Sequence, residues 1–145
     1  MNEDDIRDSP VGWVADHIRQ YVESDGKRGH HRSGTDTLLL TVRGRKTGLR
    51  RRTALIYGQS EENFIVVASN YGKDVHPNWY KNLCADPEVE VQVGAEHFAA
   101  TARTADESER PALWDLMTSV FPEYERLAAR TRRRIPVVVL EPHAD

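Results

Sequence analysis

The chain reads as an α+β protein, mainly β: an antiparallel barrel decorated with helices. Three observations predict this class. Runs rich in Leu, Ile and Val recur at about 37–43, 53–58, 63–69, 89–93, 97–104 and 135–140, bounded by turn residues. Helical segments are inserted between them, as in a barrel built mostly of sequential hairpins. No internal repeat, low-complexity stretch or linker divides the 145 residues, so a single domain over 10–145 is expected, large enough to bury a core.

Each element has its own signal. Residues 1–9 read as a flexible, frayed tail. Val11, Val14, Ile18, Tyr21 and Val22 then fall at helical spacing, with Ser9 as N-cap and Pro10 in the first turn, predicting a helix from Pro10 to about Ser24. Asp25 to Gly34 has no periodicity and reads as a loop. Three strands follow, the last two joined by a tight connection over Gln59 to Glu62. Asn70 to Pro77 is a loop and Asn78 to Ala85 a short helix that stops before Asp86-Pro87. Val89, Val91 and Val93 alternate with polar residues, the pattern of a half-buried strand, and Gly94 turns it into His97 to Thr104. Asp106 caps a helix to about Val120, with Ala112, Leu113, Leu116, Met117 and Val120 on one face. Phe121-Pro122 breaks it, Glu123 to Arg132 forms a second short helix, and Ile135 to Leu140 closes the chain as a strand.

Composition bounds the function. The chain is 39% hydrophobic and 30% charged, which excludes global disorder. No apolar run approaches the roughly 20 residues of a membrane helix, and the acidic start (Met1 to Asp8) has no secretory h-region. Stable membrane insertion is therefore not expected. A single cysteine, Cys84, excludes an internal disulfide and fits a reducing cytoplasm. The net charge of −3 argues against a general nucleic-acid binder.

Against that background one segment is anomalous. The ten residues 43–52 (RGRKTGLRRR) carry six positive charges and no acid, where even scatter of 20 basic residues would place one or two. Flanked by strands, it is expected as the turn of a β-hairpin built to hold an anion. Glycine lets backbone N–H groups converge, and arginine adds fork-shaped donors matched to phosphate or carboxylate. The Lys46-Thr47 pair does not make a phosphate loop of the NTPase type. No glycine lies five residues before Lys46, and a strand follows, not a helix. A basic arm for RNA and a solvated hairpin tip are the competing readings.

The second cluster is Ala68-Ser69-Asn70-Tyr71-Gly72 followed by His76-Pro77-Asn78-Trp79-Tyr80-Lys81-Asn82-Leu83. A strand end leads through a loop to a helix start, where ligands meet oriented backbone donors. Trp79 reads first as core, with stacking on a planar ring as the alternative. The six histidines show no metal-ligand spacing, so no metal is expected. No G-x-S-x-G elbow supports serine hydrolysis, and Cys84 reads as structural.

These pieces resemble the deazaflavin-dependent nitroreductase family, whose members bind coenzyme F420, an 8-hydroxy-5-deazaflavin. The carrying residues are Leu38-Leu39-Leu40-Thr41-x-x-Gly44-Arg45-Lys46-Thr47-Gly48-x-x-Arg51 and Val66-Val67-Ala68-Ser69-x-x-Gly72. They continue with Pro77-x-Trp79-Tyr80-x-Asn82-Leu83-x-Ala85-x-Pro87-x-Val89-x-Val91 and end in Arg134-Ile135-Pro136-Val137-Val138. The resemblance implies a split β-barrel of the flavin-reductase or pyridoxamine-phosphate-oxidase type. It also implies an anionic occupant for the basic run, because F420 carries a phosphodiester and a polyglutamate tail; FMN, with one phosphate, fits that excess charge less well.

Roles follow by resemblance. Arg45, Lys46 and Thr47 would meet the phosphate, and Arg51, Arg52, Thr53, Ala54, Leu55 and Ile56 would run along the cofactor. Ala68, Ser69, Asn70 and Tyr71 would border the ring. Asn78, Trp79, Tyr80, Lys81 and Asn82 would close the helix side, moving Trp79 towards the cofactor edge. The family often has Gly-Gly where this chain has Tyr71-Gly72, and Pro at Ala54. Nitro-reducing members line a lid with several tyrosines, of which Tyr124 alone stands between Phe121 and Leu127. The expectation is a cytoplasmic F420H2-dependent oxidoreductase delivering hydride to a small-molecule electron acceptor: a quinone, enone or nitro compound. Ser69 is the candidate polarising group and Tyr124 the candidate proton donor or lid residue. A non-catalytic F420-binding or storage protein is the alternative.

Overall fold

The structure is a computed structural model that describes residues 6–32 and 34–144. Of the expected tail, residues 1–5 lie outside the described residues. Ile6–Asp8 is not frayed: it forms a strand, β1, paired in parallel with Arg50–Arg52. The remaining elements are α1 (Gly12–Glu23), β2 (His31–Arg32), β3 (Thr35–Arg43), β4 (Arg50–Ile56), β5 (Gly58–Ser60) and β6 (Asn63–Val67). They continue as α2 (Asn78–Ala85), β7 (Glu88–Val93), β8 (Glu96–Thr104), α3 (Arg110–Val120), α4 (Glu123–Ala129) and β9 (Val137–Pro142).

The strands run in the order β1-β4-β3-β7-β8-β9-β6-β5, with β2 paired to β3. Every pairing but β1–β4 is antiparallel. Consecutive strands β4 and β5 are separated by Tyr57 alone, yet they sit towards opposite ends of this order. The ribbon must therefore curl until its ends meet, which makes it a split barrel and not a flat sheet. Leu38, Leu40 and Val42 of β3 face the interior with Val66, Val89, Val91, Ala100, Ala102, Val138 and Leu140. The alternate residue Leu39 packs outwards against Val14, Ile18 and Tyr21 of α1. Val137 and Val139 likewise pack outwards under α3 and α4, with Ile65, Val67, Leu113 and Met117. Burial on both faces explains why β3 and β9 read as continuous apolar runs in an antiparallel sheet.

Local chemistry moves several expected boundaries. The first helix starts at Gly12, after Val11, with no side-chain cap; Ser9 lies before it, its Oγ accepting from the Val11 amide at 3.4 Å and its amide donating to the Arg52 carbonyl at 3.0 Å. The stretch expected as a loop from Asp25 to Gly34 contains the strand β2, and before it Gly26 (φ +84°) meets Gly94 so closely that a Cβ would lie 2.4 Å from its Cα. There the Tyr21 hydroxyl accepts from the Gly94 amide at 2.7 Å and donates to the Thr37 carbonyl at 3.0 Å. Asp106, expected as the cap, instead closes the turn before α3: Oδ1 accepts from the Ser108 and Glu109 amides, Glu109 Oε1 accepts from the Asp106 amide, and the helix starts at Arg110 behind Glu109 without a side-chain cap. Ala112, expected on the buried face of α3, is exposed. The short helix α4 ends at Ala129 and does not reach Arg132.

Candidate functional site

The basic run does not lie in the turn as a block. Arg43 ends β3 and Arg50, Arg51 and Arg52 begin β4, so the connection is Gly44 to Leu49. That connection is held by its own backbone. The Gly44 amide donates to the Leu49 carbonyl at 2.7 Å and the Gly48 amide to the Gly44 carbonyl at 2.8 Å. Gly48 sits at φ +73°, a conformation costly for other residues. The Thr47 hydroxyl accepts from the Leu49 amide at 3.2 Å, and Arg43 Nη1 donates to the Gly48 carbonyl at 3.1 Å.

Strand register sorts the arginines into two sets. Arg51, Thr53 and Leu55 stand opposite Val42, Leu40 and Leu38, the residues that face the barrel interior. Arg50, Arg52 and Ala54 stand opposite Arg43, Thr41 and Leu39, on the outer face beside α1. The outer arginines are consumed by carboxylates. Arg50 is buried and forms a close ion pair with Glu90 of β7. Arg52 Nε donates to Asp8 Oδ1 at 2.6 Å and its Nη2 to Oδ2 at 3.3 Å. Arg43 Nε lies 3.5 Å from Asp86. Among the described residues, Arg45, Lys46 and Arg51 have no carboxylate partner. Strand alternation thus turns Arg52 and Ala54 to the side opposite Arg51.

The structure joins the two sequence clusters through Asn82. This side chain is only 6% exposed, and its Oδ1 accepts from the Arg45 backbone amide at 3.1 Å and from Arg45 Nη1 at 2.8 Å. One carbonyl thus fixes the hairpin loop against α2 and aims Arg45. Asn78 and Lys81 are exposed on the same helix. Trp79 and Tyr80 are half-buried and pack against the barrel core, consistent with the core reading of Trp79. The Tyr80 hydroxyl shares a hydrogen bond with Thr104 Oγ1 at 2.7 Å, and burial pushes its phenol above the ordinary range.

The Ala68–His76 segment connects β6 to α2. Asn70 and Tyr71 both take left-handed backbone (φ 47° and 58°), an outlier for a bulky aromatic. Tyr71 is 58% exposed. Gly72 follows beneath the end of α4, where a Cβ would meet the Leu127 carbonyl at 2.8 Å. Asn70 Nδ2 donates to the Val75 carbonyl at 2.9 Å. The Ser69 carbonyl accepts from the Gly72 amide, while its hydroxyl makes no hydrogen bond among the described residues.

Tyr124 lies on α4, the helix whose end covers Gly72 of this loop. It lies 5% exposed in the apolar cluster with Ile65, Met117, Val137 and Val139, its ring edge-on to Phe121 at 5.0 Å. Burial drives its phenol far above the ordinary range. Its helix, α4, packs against α3 and against the Asn70–Gly72 turn. Sequence reasoning also missed Arg133, Asp8 and Glu90. For Arg133 a signal existed, since Arg130, Arg132, Arg133 and Arg134 form a second basic run directly before β9. No group of His, Cys, Asp or Glu that could hold a metal occurs among the described residues.

A split barrel with a clamped basic hairpin is the class of protein that fold and site define. The chain belongs to the F420H(2)-dependent quinone reductase family, which it matches over residues 13–142. It is 36% identical over 128 residues to an F420H(2)-dependent quinone reductase of Mycobacterium tuberculosis, covering 86% of each chain. A solved structure described as a domain-swapped dimer superposes with a TM-score of 0.71 at 33% identity, over 92% of this chain and 100% of that one. A structure named as an F420-H2 dependent reductase gives 0.68 at 35% identity, over 72% and 93%. The sequence resemblance is borne out in family and in fold.

Proposed function

We propose that this chain is an F420H2-dependent oxidoreductase that reduces quinones, with enones and nitro compounds as related electrophiles. One observation carries the reading. Three cations without carboxylate partners among the described residues, Arg45, Lys46 and Arg51, stand on a hairpin that Asn82 locks to α2, the helix that follows the loop bearing the Ser69 hydroxyl. The donor set fits the group: a string of phosphate and carboxylate anions needs several separate cations, and FMN would occupy fewer of them. When bound, the deazaflavin supplies a hydride and not single electrons.

The protein's part is placement. Arg45, held from its backbone and from Nη1, and Lys46 hold the phosphate. Gly44 lets the loop close tightly, since a Cβ there would press on the Leu49 carbonyl and Thr47 Oγ1 at 3.1 Å, and Arg51 at the start of β4 supplies the tail-binding charge. Thr53 and Leu55, on the interior face of β4, border the ring from one side, and Ala68 to Tyr71 from the other. Ser69 donates its hydroxyl to the acceptor oxygen as negative charge grows there, a contribution on the order of 10²–10³ in rate for an oxyanion donor. A quinone that takes one hydride needs one further proton, which solvent delivers.

The test is single-turnover mixing of protein loaded with reduced F420 against a naphthoquinone, followed by cofactor oxidation. Oxidation by the protein that greatly exceeds the protein-free rate is expected. Ser69→Ala should slow it by the factor above with little change in cofactor affinity. Tight F420 binding with no acceleration would make the chain a carrier of the cofactor and not a reductase.

A further inference from the structure

Arg133 enters none of the roles above, yet it is the most connected side chain near the site. Its Nε donates to the Lys73 carbonyl at 3.1 Å, Nη1 to the Ala68 carbonyl at 3.1 Å and Nη2 to the Ser69 carbonyl at 2.7 Å. Nη1 also donates to His76 Nδ1 at 2.9 Å. One guanidinium therefore ties both ends of the Ala68–His76 loop to the segment preceding β9. Two residues of that loop, Asn70 and Tyr71, are in left-handed backbone that relaxes unless the surroundings hold it. A lysine would not substitute, because only a planar fork reaches several acceptors in fixed directions.

We propose that Arg133 is a positioning residue for hydride transfer, clasping the Ala68–His76 loop in the shape that sets Ser69 against the acceptor. This rests on the reading of the preceding subsection. The clasp also sets a condition on His76. An arginine only donates, so His76 Nδ1 must accept, and the ring must be neutral with its proton on Nε2. Burial first, then the charges of Arg133 and Lys81, hold its basicity below the ordinary imidazole range. The other charged or titratable groups around it are Tyr80, whose ring lies 4.9 Å away, Lys73 of the loop itself, and Asp74, held by Thr131. The sign follows: a group with lowered basicity leaves the clasp intact above the ordinary imidazole range. The clasp is lost as pH falls through the lowered value, where two donors would face each other.

The experiment has an arm without cofactor and an arm with it. In cofactor-free protein, Arg133→Lys should speed amide exchange at Gly72 and Lys73, which donate to the Ser69 and Asn70 carbonyls, by at least about tenfold. Exchange in β9 should not change. With F420H2 bound, the same variant should slow naphthoquinone reduction about tenfold to a hundredfold while the F420 dissociation constant stays within about threefold. The parent rate should fall at acid pH, and His76→Asn, which keeps an acceptor facing Arg133, should abolish that fall. Unchanged exchange in Arg133→Lys overturns the clasp. Faster exchange with an unchanged transfer rate, or an acid limb that survives His76→Asn, overturns its role in the reaction. A parent that never oxidises F420H2 sinks the function instead, and the exchange arm still decides the clasp.

Discussion

The two halves of the basic run differ in what the fold does with them. On the strand half, Arg50 and Arg52 are turned to the outer face and meet Glu90 and Asp8. On the loop half, Arg45 and Lys46, joined by the inward Arg51, meet no carboxylate among the described residues, and Arg45 is held by a neutral amide oxygen. Charge density in sequence therefore overstates the charge a ligand can use. Half the run is structural, recruiting acids that lie 40 or more residues away in sequence. Groups the fold consumes should move stability and leave affinity alone; groups it leaves over should do the reverse.

The largest effect expected on the consumed side is at Tyr124. Tyr124→Ala should cost about 3–5 kcal/mol of stability, read by denaturant unfolding, because it empties a packed aromatic site. Tyr124→Phe should leave the single-turnover rate unchanged, and slowed transfer in that variant would return the hydroxyl to the chemistry. Next comes Asn82, which straddles the two groups. Asn82→Ala strips Arg45 of its backbone and side-chain acceptor and should weaken F420 about three- to tenfold, or 0.7–1.4 kcal/mol by titration. Arg52→Gln should cost roughly 1 kcal/mol of stability for a partly exposed ion pair, and salt should shrink that difference. The smallest effect has the opposite sign. Tyr71→Gly should raise stability by about 0.5–1 kcal/mol, since glycine takes φ 58° without the Cβ penalty. A loss on that substitution would show that the exposed ring has a packing role.

Much of the fold was legible because burial on two faces leaves a plain mark: Leu38 to Val42 and Val137 to Leu140 could only be central strands. Helix α2 was legible to the residue, bounded by Pro77 and by Asp86-Pro87. What escaped reading has a common cause, which is partnership across the chain. Whether Ser9 or Val11 precedes a helix is local, but whether Ile6–Asp8 is a tail depends on β4 lying beside it. The site was legible as two clusters, and the junction through Asn82 followed from neither alone. Register decided that Arg51 and Arg52 face opposite ways, which composition cannot reveal. The burial of Tyr124 was not legible, because a lone hydroxyl after a helix break reads the same whether it faces solvent or an apolar cluster.

The central claim is that the leftover charges hold the anionic cofactor. The most direct measurement is the dissociation constant of F420 for the parent, Lys46→Ala, Arg51→Ala and Arg52→Gln, at one salt concentration. Charge-assisted hydrogen bonds contribute about 1.5–3 kcal/mol each, so Lys46→Ala and Arg51→Ala should each weaken binding about tenfold to a hundredfold. Arg52→Gln should stay within about threefold of the parent, because Asp8 already occupies that guanidinium. Equal losses in all three variants, or a loss at Arg52 with none at Lys46 and Arg51, would contradict the division of the run into structural and binding halves.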